Sequence, residues 1–99
     1  GVSWWREAAA SGDPVAQTNL AVAYASGTGV EQDYPLALEW YRKAAEQGHA
    51  PGQYGLGLMY EYGDGVEPDR AEARRWYELA AAQGDPRARE RLQQLEGNP

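Results

Sequence analysis

Ninety-nine residues with 9 basic and 15 acidic side chains carry a net charge of −6, which excludes the basic stripe that nucleic acid or an anionic membrane requires. The absence of cysteine excludes a disulfide framework, a thiolate nucleophile and a zinc–thiolate site. One small domain of this length buries about 60–65% of its unfolded surface, and its apolar content rests on Ala, Leu, Trp and Tyr with no Phe or Ile.

The chain repeats with a period of 36. Laying residues 12–47 on 48–83 gives 15 identities in 36 positions: Gly12, Gln17, Leu20, Tyr24, Gly27, Gly29, Val30, Glu31, Asp33, Ala37, Trp40, Tyr41, Ala44, Ala45 and Gln47 all recur. Periods of this size mark solenoids, in which each unit buries its apolar face by stacking on its neighbours. The pattern divides the chain into 1–11, 12–47, 48–83, a closing helix at 84–96 and a tail at 97–99.

In chain order, Trp4-Trp5 and Ala8-Ala9 read as the end of a helix of the second kind in each unit, the B helix. Gly12-Asp13-Pro14 then places a left-handed glycine, a capping aspartate and a first-turn proline in succession, so the chain folds straight back. An A helix over 14–26 follows, with Ala16, Leu20, Ala21 and Tyr24 on one face. Gly27-Thr28-Gly29-Val30 forms the A-to-B loop, Asp33 caps a B helix over 34–47, and Ala37, Trp40, Tyr41, Ala44 and Ala45 face its neighbours.

The second unit copies this plan. His49 stands where aspartate caps the first A helix, a weaker version of the same junction. An A helix over 50–62 faces inward through Gly52, Leu56, Gly57 and Tyr60. Gly63-Asp64-Gly65-Val66 turns the chain, and Asp69 with Glu72 is expected to form a capping box before a B helix over 70–83. Gly84-Asp85-Pro86 opens the final helix, which keeps Ala88 and Leu92 but puts Gln93 and Glu96 at formerly apolar places, as a solenoid end facing water needs. Gly57 matches Ala21 in wanting a small side chain, whereas Gly55 has no packing reason visible in the sequence.

The run Ala16-Gln17, Leu20-Ala21 and Tyr24, the Gly-x-Gly-Val loop, and Asp33, Ala37, Trp40-Tyr41, Ala44-Ala45 and Gly48 resemble the Sel-1-like repeat, a relative of the tetratricopeptide repeat. The resemblance covers nearly the whole chain. It implies an all-α fold, a right-handed α-α superhelical solenoid of antiparallel helix pairs. It also implies a protein–protein adaptor of the kind found in bacterial signalling, envelope or host-interaction systems, with no general catalytic residue.

In such stacks the A helices line the concave face. With Leu20, Leu56 and Leu92 as the inward reference, the expected partner-binding positions are Thr18, Val22, Tyr54, Leu58, Glu61, Tyr62, Glu90 and Gln94. Tyr54, Leu58 and Tyr62, spaced i, i+4, i+8, form an aromatic–aliphatic stripe suited to anchoring a peptide. Packing between neighbouring A helices and a contact between copies are alternative roles for the same residues. Trp4 and Trp5 belong to a B helix with no A helix before it, so upstream repeats, another chain or self-association is expected to cover them, and a structural spacer is the competing function.

An enzyme needs a nucleophile, a positioned acid–base pair or a metal site. His49 is the only histidine and sits at a helix start. Ser3, Ser11 and Ser26 precede no lysine at the spacing of a Ser-x-x-Lys site. Glu61, Asp64, Glu67 and Asp69 do not follow the alternation of a calcium loop, and the glycine loops follow helices rather than strands. No cofactor, metal or catalytic residue is expected, and a hydrolase is a remote alternative. Partners are expected to be protein or peptide, with no nucleic acid and no membrane insertion. The compartment stays open, between cytoplasm and periplasm if the source is bacterial. The arginine-rich segment Arg70, Arg74, Arg75, Arg87, Arg89 and Arg91 is expected to be a solvated face interleaved with glutamate, with contact to an acidic peptide as the alternative.

Overall fold

The computed structural model describes residues 2–97, with side chains from Trp4 onward; Gly1 and the end of the expected tail at 98–99 lie outside them. Among these residues the chain forms six helices and no strand: α1 Val2–Ala10, α2 Pro14–Ser26, α3 Tyr34–Glu46, α4 Ala50–Tyr62, α5 Arg70–Ala82 and α6 Pro86–Gly97. The final helix runs one residue further than the sequence predicts. The B helices end one residue earlier, because Gln47 and Gln83 are C-caps whose amides still reach the carbonyls three and two residues back.

The junctions follow from local chemistry. Gly12, Gly48 and Gly84 adopt φ of 98°, 84° and 95°, the left-handed region that only glycine enters without strain. Asp13 accepts from the Val15 amide at 3.0 Å, Asp33 from Leu36 at 3.1 Å, and Asp69 from Glu72 at 3.1 Å. Two expectations are corrected here. His49 occupies its N-cap position without a side-chain hydrogen bond, so it does not cap. The capping box at α5 is half formed: the Asp69 amide bonds the Tyr60 carbonyl at 2.9 Å, and Glu72 pairs with Arg75 instead of reaching back.

Each helix packs on its neighbours in sequence, and α2 also approaches α4 directly. No pair of B helices meets to that extent, so α2 and α4 lie on the tighter, inner side of the stack and the B helices on the outer one. Between the rows lie Ala21, Ala37, Tyr41, Ala45, Leu56, Met59 and Trp76, all buried. A second cluster joins Ala73, Tyr77, Ala80, Ala88 and Leu95. Tyr77, Leu20 and Leu56 are sealed from solvent, each contributing about 1.5–3 kcal/mol of burial. Leu92 is only half-buried, since among the described residues no helix follows α6; Leu95, one period after buried Met59, goes inside instead.

Glycine makes room for the aromatic rings. A Cβ on Gly57 would stand 2.6 Å from the Tyr77 ring. One on Gly55 would stand 2.2 Å from Cε1 of Tyr41, which supplies the packing reason the sequence does not reveal.

The recurring glutamines tie the units together. Gln17 Nε2 donates to the Ala9 carbonyl at the end of α1 (3.1 Å), and its Oε1 accepts from Gln47 Nε2 at 2.8 Å. One unit later Gln53 donates to the Ala45 carbonyl (3.3 Å) and accepts from Gln83 at 3.0 Å. These helix-end carbonyls already accept from the Gly12 and Gly48 amides at 3.0 Å, and the glutamine amides fill their second acceptor site inside the stack.

Candidate interaction surface

The inner row owes its character to what its sequence lacks. Helix α2 reads PVAQTNLAVAYAS, with no charged side chain, and α4 reads APGQYGLGLMYEY, with Glu61 alone. The outer helices α3 and α5 carry Glu39, Arg42, Lys43 and Glu46, then Arg70, Glu72, Arg74, Arg75 and Glu78. The α2 and α4 part of the inner wall is therefore nearly uncharged on a protein in which 24% of residues are charged, whereas α6 brings Arg87, Arg89, Glu90, Arg91 and Glu96.

The eight expected partner-binding residues separate into three groups. Val22 and Tyr62 are exposed, at 47% and 59%, and Glu90 and Gln94 are exposed on α6. Tyr54 and Leu58 are half-buried: both pack on the Tyr77 cluster, and the Tyr54 ring lies 5.9 Å from that of Tyr77, tilted by 40°. Thr18 is only 9% exposed, and its hydroxyl has no hydrogen-bond partner among the described residues. It belongs to the packing of the wall rather than to its surface.

Glu61 is likewise committed within the protein. Its Oε1 accepts from the Tyr77 hydroxyl at 2.7 Å and from Arg91 Nε at 3.2 Å, and Arg91 Nη2 completes the ion pair with Oε2. Arg91 Nη1 donates to Gln94 at 2.6 Å. Burial, followed by the bond to Glu61, pushes the Tyr77 hydroxyl well above the ordinary tyrosine range, so Tyr77 stays a donor. The hydrogen bond to Glu61 raises the Arg91 guanidinium against the opposing effect of its burial. A cavity of about 240 Å³ opens beside this network, lined by Glu61, Arg70, Arg91, Gln94 and Leu95. Arg70 donates to the Leu95 carbonyl there at 2.8 Å.

The sequence does not reveal the arginines that floor the wall's α6 side. Arg87 lies 4.4 Å over the Tyr54 ring and Arg91 lies 5.7 Å over Tyr62, so α6 sets two guanidinium planes on the α4 stripe. The readable signal is the i, i+4 spacing of Arg87 and Arg91 against the same step in Tyr54, Leu58 and Tyr62. On the outer row Arg75 covers Trp76 and Lys43 covers Trp40. Three of the six arginines expected on a solvated face thus lie on aromatic rings. Asp85 holds Arg87 in place at 3.0 Å. Burial works to raise the Asp85 carboxyl, but hydrogen bonds from the Arg87 side chain and amide outweigh it and leave it below the usual carboxylate range.

At the opposite end, Trp4 is 61% exposed and Trp5 half-buried. Among the described residues no group of three or more His, Asp or Glu is placed to hold a metal ion. No helix among them is long and apolar enough to cross a membrane.

Paired helices in repeated register, with a polar outer row and an inner row nearly uncharged on α2 and α4, define an α-α repeat solenoid. The Sel1 repeat profile matches residues 1–13, 14–49 and 50–85, and the chain belongs to the Sel1 repeat family, whose members are generally protein-interaction modules and typically not enzymes. Among solved structures it is similar to a Sel1 repeat protein from Oxalobacter formigenes, at 48% identity and a TM-score of 0.90, over 94% of this chain and 70% of that one. It is also similar to c5321, described as a protective antigen present in uropathogenic Escherichia coli strains and displaying an SLR fold. That match has 48% identity and a TM-score of 0.83, over 85% of this chain and 18% of that one, so this chain spans less than a fifth of that protein. Helicobacter pylori cysteine rich protein B shares the fold at 24% identity and a TM-score of 0.85, over 92% of this chain and 68% of that one. A search of curated proteins finds no significant match.

Proposed function

We propose that this chain is a non-catalytic adaptor module that holds a polypeptide segment against the inner wall of α2, α4 and α6. The observation that carries the reading is the wall itself. It has no charge on α2, its one carboxylate on α4 is already neutralised by Arg91, and Val22 and Tyr62 stand exposed beside half-buried Leu58. Apolar and aromatic side chains left on a stretch of α2 and α4 with no unpaired charge, bordered by the polar α6, are the composition of a protein-binding surface.

Tyr54 and Glu61 support the wall from within, so the partner contacts are Val22, Leu58 and Tyr62, with Glu90 and Gln94 at the α6 edge. The test is selection of short random peptides displayed on phage against the purified chain. Val22→Glu and Tyr62→Glu, at exposed positions, should leave the thermal melt nearly unchanged and abolish binding of the selected peptides. Peptides that bind both variants as well as the parent would place the contact elsewhere.

Exposed Trp4 favours a second reading, a segment that docks end to end on another copy. Sedimentation equilibrium across a wide concentration range tests it: a strict monomer would remove self-association.

A further inference from the structure

The chain has no lysine or arginine between Arg6 and Arg42, and none between Lys43 and Arg70. Those stretches contain both A-to-B loops. Residues 27–33 carry Glu31 and Asp33, and residues 63–69 carry Asp64, Glu67 and Asp69. Because the A helices run in one direction, both loops lie along a single edge of the inner wall, where α2 ends at Ser26 and α4 at exposed Tyr62. The loops also touch, since Gly65 packs on the Tyr34 carbonyl at the start of α3.

Asp33 and Asp69 cap helices, but among the described residues Glu31, Asp64 and Glu67 make no ion pair; the pairs there are Glu72–Arg75, Asp85–Arg87 and Glu61–Arg91. Arg6 faces the first loop across a cavity of about 440 Å³ and bonds neither of its carboxylates. At the other edge of the wall, Arg87 stands over Tyr54 at the start of α6. The α2 and α4 wall thus carries no unpaired charge along its length, and its loop edge next to Tyr62 is acidic.

Resting on the adaptor reading, we propose that the wall's occupant is a polypeptide segment with apolar side chains followed by basic ones. The apolar residues lie on Val22, Leu58 and Tyr62, and the lysines or arginines reach Glu31, Asp64 and Glu67 at the loop edge. Apolar contact supplies the affinity, and the unpaired carboxylates supply direction and selectivity, because a basic segment entering the reverse way meets Arg87 over Tyr54.

The test uses the same displayed peptides. Selected sequences should combine apolar residues with a flanking Lys or Arg. Synthetic copies should bind about tenfold more weakly to the triple variant Glu31→Gln, Asp64→Asn, Glu67→Gln, and severalfold more weakly to the parent chain as salt is raised. Should the triple variant fail to fold, the salt dependence of the parent and peptides with lysine replaced by glutamine still decide. Acidic selected peptides, or affinity unchanged by neutralisation and salt, would overturn the charge proposal while Tyr62→Glu sensitivity kept the adaptor reading intact. Recovery of no peptide above background, or of peptides indifferent to Val22→Glu and Tyr62→Glu, would overturn both. A dimer that sediments as such and is broken by Tyr62→Glu would make the occupant a second copy and overturn the proposal.

Discussion

His49 shows how one side chain sets the strength of a junction. Asp13 and Asp85 hold the first turns of α2 and α6 through their carboxylates, whereas His49 leaves the amides of α4 without a side-chain acceptor. His49→Asp should stabilise the protein by about 0.5–1 kcal/mol, a rise of roughly 2–8 °C in melting temperature. Burial lowers the His49 pKa below 6.5, with Asp13 partly opposing. The folded state therefore prefers the neutral ring, and this contribution is lost as pH falls from 6.5 through the lower folded value. The advantage of the aspartate variant should widen over that window, and thermal melts at pH 7 and pH 5.5 check it. An unchanged gap would mean that the ring is not coupled to folding.

Gly55 is the residue-scale feature that the sequence conceals. Alanine there would gain about 1 kcal/mol of helix propensity, yet its Cβ would collide with the ring of Tyr41, which is 8% exposed and cannot swing into water. Overpacking of this kind costs about 1–3 kcal/mol, so Gly55→Ala should give a net loss of up to about 2 kcal/mol in urea unfolding. Adding Tyr41→Leu should make the glycine replacement less costly than it is alone. A stabilised single variant would mean that the ring has another place to go.

At the scale of elements, the glutamine bridges deserve a double-mutant cycle. Gln53 joins the end of α3 to the start of the next junction through Gln83, which also donates to the Gly48 carbonyl at 2.8 Å. Gln53→Leu should destabilise by about 0.5–1.5 kcal/mol, because it removes a buried hydrogen bond to the Ala45 carbonyl, which keeps the Gly48 amide as a donor at 3.0 Å. The coupling between Gln53→Leu and Gln83→Leu should be about 0.5–1.5 kcal/mol, and purely additive losses would show that the amides act separately. Helix positions were readable because the Gly-Asp-Pro junctions and Asp33 and Asp69 are local signals. The amide bridges were not, although Gln17 and Gln47 recur, because their partners lie 30 residues apart and only the stack brings them together.

For the whole molecule, principal extents of 41 × 25 × 17 Å describe a short, flattened stack. The period and the paired helices could be read from spacing, and the superhelix with the A helices inside from the resemblance to tetratricopeptide-like repeats. Which groove residues stay available could not. Thr18 and Glu61 occupy the expected face, yet one is covered and the other is held by Tyr77 and Arg91, outcomes set by contacts across units. Leu95 went unnoticed for the same reason: its value lies in matching Met59 one period earlier, at a position the first unit fills with Ala23.

The notch at Gly55 also bears on how such an array can grow. The second unit brings its own glycine recess at the front and presents Tyr77 at the back, so a tandem copy of residues 48–83 would seat each tyrosine in the recess of the next copy. The inserted junction would exchange the Arg91 contact for that fit and leave one Glu61 without its guanidinium. A lengthened chain should fold and melt no lower than the parent, with its extra carboxylate adding acidity to an otherwise neutral channel. Copying 12–47 instead would set Asn19, which carries a full side chain, against Tyr41, and the two insertions together would reveal whether growth in this lineage has a preferred template.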